Sequence, residues 1–142
     1  MALKIIDYGT SEYRLMVKMR HEILRKPLGL RFSDAELEEE QNNILIGAFE
    51  DDQMLGCCMI VENNPEKAQL RQMAVLNNLQ GKGVGRALII FAENLARDHG
   101  YRTMCMHARK NTVPFFEKMG YKISSNEFIK LTIPHFEMEK EL

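Results

Sequence analysis

The chain has 142 residues and a formal charge of −1, with 45% hydrophobic and 27% charged side chains. That length suits one domain, 1–142, able to bury a core without staples, and the scattered basic residues give none of the electrostatic stripe of a nucleic-acid binder. No apolar run approaches the ~20 residues that span a bilayer, and residues 1–8 make no signal peptide, so the expected location is cytoplasmic, away from membranes.

Residues 3–8 read as an edge strand. After Thr10, apolar Tyr13, Met16, Met19, the stem of Arg20 and Ile23 recur at helical spacing, until Pro27 and Gly29 break the helix. Ser33 followed by Glu36 forms a capping box for a short acidic helix, ELEEEQ, whose glutamates read as a solvated face. Residues 44–49 and 54–61 are strands joined by a tight Asp51–Asp52 turn, and Asn63, Asn64 and Pro65 turn the chain into a third antiparallel strand over 68–76. From Val84 through Leu88, Phe91 and Leu95 the apolar residues keep one helical face, closed by Gly100. A strand at 103–108 follows, so strand, helix and strand demand a right-handed parallel crossover between 68–76 and 103–108. A short helix at 112–119, ended by Gly120, and strands at 128–131 and 136–138 complete the order βααβββαβαββ, an α/β chain with a mixed, mostly antiparallel sheet. Cys57 and Cys58 are strand neighbours that point to opposite faces. With Cys105 they read as buried thiols, and without a second pair of ligands at zinc spacing no metal is expected.

Between the third strand and the long helix stands LNNLQGKGVGRALII, residues 76–90, with Gly81, Gly83 and Gly85 at every second position. A strand-to-helix loop exposes unpaired N–H groups at the positive end of the helix dipole, glycines let phosphate oxygens approach them, and Lys82 and Arg86 add charge. A triphosphate-binding P-loop needs GK[ST] where GVGRA stands. A dinucleotide turn needs GxGxxG with an acidic residue closing the next strand, where CMHAR stands.

The segment QMAVLNNLQGKGVGRALI resembles the pyrophosphate-binding motif of the GNAT acyltransferases, and the resemblance continues through HARKNTVPFFEKMGYK to the terminal IPHFEMEK. It implies a GNAT-like sheet with a central splayed parallel strand pair, and an N-acetyltransferase that moves an acetyl group from acetyl-CoA to an amine by direct attack. It also implies that Met73, Ala74 and Val75 hold the pantetheine arm, that the Val75 amide stabilises the oxyanion, and that Gln80, Gly81, Lys82, Gly83, Val84, Gly85 and Arg86 bind the pyrophosphate. Arg109, Asn111 and Phe116 complete the implied coenzyme A set, acetyl-CoA being a co-substrate with no metal needed. The acceptor is an amine on a small molecule or peptide, and the protein a monomer or homodimer.

Three positions depart from the family pattern. Phe116 stands where many relatives carry a proton-donating tyrosine, Gln69 where several carry a glutamate base, and Arg109 where a helper asparagine is usual, with Asn111 two residues later. Phe116 and Gln69 make a coenzyme A-binding module without catalysis an alternative reading, and a nucleotide-binding regulatory domain, its loop holding a different phosphate ligand, is another. His107, sharing a strand face with Cys105 near the expected thioester, is the candidate acid or base. His135 reads as locally hydrogen-bonded, His21 and Glu22 lie on the helix that lines the acceptor side, and Cys105 lacks the oriented histidine of a nucleophile.

Overall fold

The structure, a computed structural model, describes residues 1–142. β1 (Ala2–Ile6) leads into α1 (Ser11–Arg20), which Thr10 caps by accepting the Tyr13 amide at 3.2 Å. The helix does not reach Pro27 as regular α-helix: it widens to a π turn at His21–Arg25 and tightens to a 3-10 turn at Lys26–Leu28, ended by Gly29 at φ 71°. Ser33 and Glu36 cap α2 (Asp34–Glu38) reciprocally, as their spacing predicts. The meander follows as β2 (Ile44–Glu50), β3 (Gln53–Asn64) and β4 (Lys67–Val75). Then come α3 (Val84–Asp98), β5 (Thr103–Arg109) and α4 (Val113–Lys118). The chain closes with β6 (Lys122–Ile123), β7 (Phe128–Lys130) and β8 (Ile133–Glu141). β6, an exposed two-residue strand, is an addition to the expected order; so short a segment carries no readable periodicity.

The strands form one sheet in the order β1-β2-β3-β4-β5-β8-β6, with β7 also on β8, and every pair is antiparallel except β4 with β5. On one face α3 buries Leu88, Ile89 and Ala92 against Ile46, Leu70 and Met104; on the other α1 buries Tyr13, Met16 and Met19 against Leu45, Cys57 and Met59. Central strands covered on both faces read as continuous apolar runs, which is why MLGCCMIV is β3. Cys57 and Cys58 enter different cores, and all three cysteines are free. No helix is long and apolar enough to cross a membrane.

Two buried ionic clusters pin the helices to the sheet. Glu93 of α3 accepts from the Tyr121 hydroxyl at 2.7 Å and from Lys140 Nζ at 3.1 Å, and Lys140 also reaches the Met119 carbonyl, so α3, the corner after α4 and β8 share one junction. The second corrects the solvated-face reading at one residue of the acidic segment: Glu36, Glu38 and Glu39 are exposed, but Glu40 is not. Glu40 is only 5% exposed: it accepts from Arg20 Nη1 at 2.8 Å and Nη2 at 2.6 Å, and from the Tyr13 hydroxyl at 2.9 Å. Arg20 is wholly buried, its guanidinium 4.6 Å from the Phe32 ring centre. Its stem does face the core, as the helical spacing suggests, but its charge is buried too.

Candidate active site

β4 and β5 pair only over their first halves, Lys67–Thr103 to Leu70–Met106, after which β5 follows β8 to Arg109 and β4 goes on beside β3 alone. The cause is a bulge. The β3–β4 register slips between Cys57 and Met59, and Gln72 sits at φ 54°, a left-handed conformation costly for a residue with a Cβ. The slip also exchanges the faces of the strand: Leu70 belongs to the core under α3, whereas Ala74 belongs to the core under α1. Past the bulge, the Leu76 amide donates to the Leu55 carbonyl at 3.0 Å. Antiparallel ladders alternate bonded and non-bonded pairs, so Val75, opposite Gly56, turns its N–H away from β3 into the gap beside β5. Its carbonyl faces the same way and accepts from Gln80 Nε2 at 3.4 Å.

The glycine loop lies at the end of this gap. A 3-10 turn at Asn77–Leu79 carries the chain to Gly81 (φ 79°) and Gly83 (φ 91°), left-handed conformations that Gly adopts without a Cβ clash. Gly83 caps α3, and the first backbone bond closing the helix runs from the Ala87 amide to the Gly83 carbonyl at 3.0 Å. The amides of Gly83, Val84, Gly85 and Arg86 find no acceptor in the protein, and exposed Lys82 and Arg86 pair with no carboxylate. Four orphan donors, a helix dipole and two free cations together make an anion cradle. Gly85 is not left-handed, and a Cβ there would meet Met73 Cε (3.7 Å), Val75 Cγ2 (3.8 Å) and Phe115 Cζ (3.8 Å) at ordinary contact distance. It floors a notch bounded by β4 and α4.

Phe115 rather than Phe116 faces that notch. Phe116 is 6% exposed and packs edge-on between Phe115 and Tyr121, while Phe115 is 39% exposed. The sequence held the signal: Val113 and Phe116 stand at i and i+3 on a one-turn helix and take the core face, which leaves Phe115 outward. Arg109 ends β5, its carbonyl accepting from the Thr112 hydroxyl at 2.7 Å, and Asn111 is exposed on the turn that follows.

On the α1 side of the sheet, His107 stands on β5 with both ring nitrogens near charge. Nδ1 lies 3.0 Å from Lys130 Nζ and Nε2 3.9 Å from Glu137, with Phe128 edge-on at 5.2 Å. Burial, then Lys130, hold its pKa below the ordinary imidazole value; Arg71 and His135 add to this and Glu137 opposes it. The neutral ring is therefore favoured. Followed by NMR against pH, the His107 ring protons are expected to titrate below the ordinary histidine range. Lys130→Met removes a cation that disfavours the charged ring, so the midpoint should rise; a midpoint unmoved or lowered would contradict the assigned cause. His135 Nδ1 lies 2.7 Å from the Ile133 carbonyl, the local bond its position suggests. Burial pushes the Cys105 thiol up to about 11, which favours the thiol over the nucleophilic thiolate; its sulfur accepts from the Asn63 amide at 3.3 Å. His21 and Glu22 fall on the π turn. Glu22 also lines a cavity of about 340 Å³ with Met19, Ile23, Met54 and Leu76.

The profile of the acetyltransferase (GNAT) domain family matches residues 26–142. Over 74 residues the chain is 34% identical to the uncharacterized N-acetyltransferase YjcF of Bacillus subtilis (strain 168), covering 51% of this chain and 53% of that one. The chain thus spans about half the length of the curated relatives it matches. Among solved structures, Escherichia coli ElaA superposes with a TM-score of 0.87 at 16% identity, over 99% of this chain and 100% of the other. An aminoglycoside 6'-N-acetyltransferase complexed with coenzyme A gives 0.82 at 16% identity, over 99% and 97%. The gap between β4 and β5, the glycine-capped helix beside it and the profile match over most of the chain agree: this chain belongs to the GNAT acetyltransferase family.

Proposed function

We propose that the protein transfers an acetyl group from acetyl-CoA directly to an amine. The observation that carries this reading is the juxtaposition of the orphan amides of Gly83–Arg86 with the free edge of β4, which suits an anion at one end and an extended amide-bearing arm along the other. In this reading Gln80, Gly81, Lys82, Gly83, Val84, Gly85 and Arg86 hold the pyrophosphate. Met73, Ala74 and Val75 line the arm with their backbone, and Phe115, backed by Phe116, walls it. Arg109 and Asn111, at the end of β5, face the same ligand. The aminoglycoside enzyme bound to coenzyme A, of the same fold, supports the choice of donor.

The acceptor nitrogen attacks the thioester carbonyl carbon, a C–N bond forms and the C–S bond breaks. The Val75 N–H, turned into the gap, would take the charge developing on the carbonyl oxygen, a term of roughly 3 kcal/mol for a preorganised donor. His107, favoured as the neutral ring, would receive the proton leaving the nitrogen at Nδ1, in place of the bond from Lys130 Nζ, and the departing thiolate is protonated to free coenzyme A. A coenzyme A-binding module without turnover is the second reading, favoured by Phe116 and Gln69 and by the engagement of both His107 nitrogens. The two separate in a thiol-release assay with acetyl-CoA and a broad amine panel. Transfer predicts amine-dependent release that falls at least ~100-fold in His107→Ala; absence of release with every amine, despite coenzyme A binding, establishes the second reading.

A further inference from the structure

We propose that the acceptor amine carries a carboxylate, bound by Lys130 and Arg71 on the α1 side of the sheet where β4 and β5 have parted. This rests on the transfer reading only in calling the ligand an acceptor; the cation site stands on its own geometry. The bulge at Arg71 and Gln72 fixes its first half. Leu70 faces the core under α3, so Arg71, opposite Met59, faces the other side, close enough to His107 of β5 for its charge to act on that ring. The second half comes from the β7–β8 hairpin. Its turn residues Leu131 and Thr132 are both left-handed, at φ 51° and 66°, and fold β7 so that half-buried Lys130 reaches His107 Nδ1 at 3.0 Å.

Two cations on this face, Lys130 and Arg71, have no ion-pair partner. Glu40 is spent on Arg20 and Tyr13, Glu36 on Arg25, and Glu139 on Lys67; Glu137 accepts from Ser124 at 3.0 Å and otherwise faces His107. Arg71 lines a recess together with Glu36, Glu39 and Glu40, of which Glu39 is exposed and in no ion pair. Burial first, then Arg71 and Arg25, lower the Lys130 pKa, the response of a half-buried ammonium near two guanidinium groups. A ligand carboxylate supplies the missing charge, with the Arg71 fork suited to two parallel bonds and the Lys130 ammonium to a third. Pairing with Lys130 and Arg71 also offsets the ligand's own carboxylate, which would otherwise hold its amine protonated and unable to attack. An acceptor bearing only positive charge would meet these two cations unfavourably.

Matched amines test this: phenylalanine against phenethylamine, and lysine against cadaverine, with two readouts. Saturable movement of the His107 ring signals is expected from the carboxylate member at a concentration at least ~10-fold lower than from its decarboxylated partner. That ratio should shrink towards one in Lys130→Met and again in Arg71→Met. Thiol release should show the same preference in kcat/KM, chiefly through KM. A tripeptide with an acidic second residue, run alongside, tells a peptide carboxylate from that of a free amino acid. Equal response to both members of each pair, preference for the decarboxylated member, or a ratio unchanged in both variants overturns the proposal. Carboxylate-selective movement of His107 without thiol release would overturn the transfer reading and leave this site standing.

Discussion

Glu40→Ala is expected to destabilise the fold by about 3–5 kcal/mol in urea unfolding, because it strands a guanidinium that has no water to return to. Arg20 is wholly buried, both terminal nitrogens are spent on Glu40, and its Nε already lacks a partner. Removing the carboxylate would also free the Tyr13 hydroxyl, whose pKa burial and the Glu40 contact now raise. The double variant Arg20→Met with Glu40→Leu removes both charges and keeps the volume, so it should cost markedly less than Glu40→Ala alone. A double variant as unstable as the single one would show that the network acts through packing against Phe32 rather than through charge. The effect bears on function as well as stability, since this pair fixes α1 and the end of the acidic segment around the π turn and the loop that carries Phe32.

The second large effect is expected at Gly85. Alanine there meets its neighbours at ordinary van der Waals distance and replaces a helical glycine, so Gly85→Ala should keep or slightly raise the stability of the free protein. Gly85→Phe drives a ring into the notch among Met73, Val75 and Phe115 and should abolish stabilisation by coenzyme A while the free protein still melts cooperatively. At 100 times the dissociation constant that lost stabilisation is about 2.7 kcal/mol. Undiminished coenzyme A stabilisation in Gly85→Phe would place the ligand elsewhere.

Much of this architecture is written in local pattern. The amphipathic run from Val84 to Leu95 specifies α3, the continuous apolar run of β3 announces a strand covered on both faces, and Ser33 with Glu36 marks the start of α2. QGKGVG announced an anion site because both requirements, unpaired amides and freedom from Cβ atoms, are local to it. What stayed hidden depends on partners distant in sequence. The left-handed Gln72 that opens the sheet is a polar residue in an unremarkable strand, and only the β3 register shows that one residue is extra. Arg20 reads alone as a helical stem and Glu40 as part of a solvated acidic run, yet packing makes them one buried pair. Phe115 and Phe116 differ only in which face of a one-turn helix they occupy. Lys130 acquires its neighbours because β7 folds back on β8, a turn made by Leu131 and Thr132, neither of them a residue that signals a left-handed turn.

Thermal unfolding with added ligands tests most directly the reading of the glycine loop and the parted strands as an acyl-CoA site. Acetyl-CoA and coenzyme A at saturating concentration should each raise Tm by roughly 5–10 °C, whereas ATP and NAD at the same concentration should leave it within a degree or so. A rise with ATP or NAD alone, or none with any coenzyme A thioester, would contradict it.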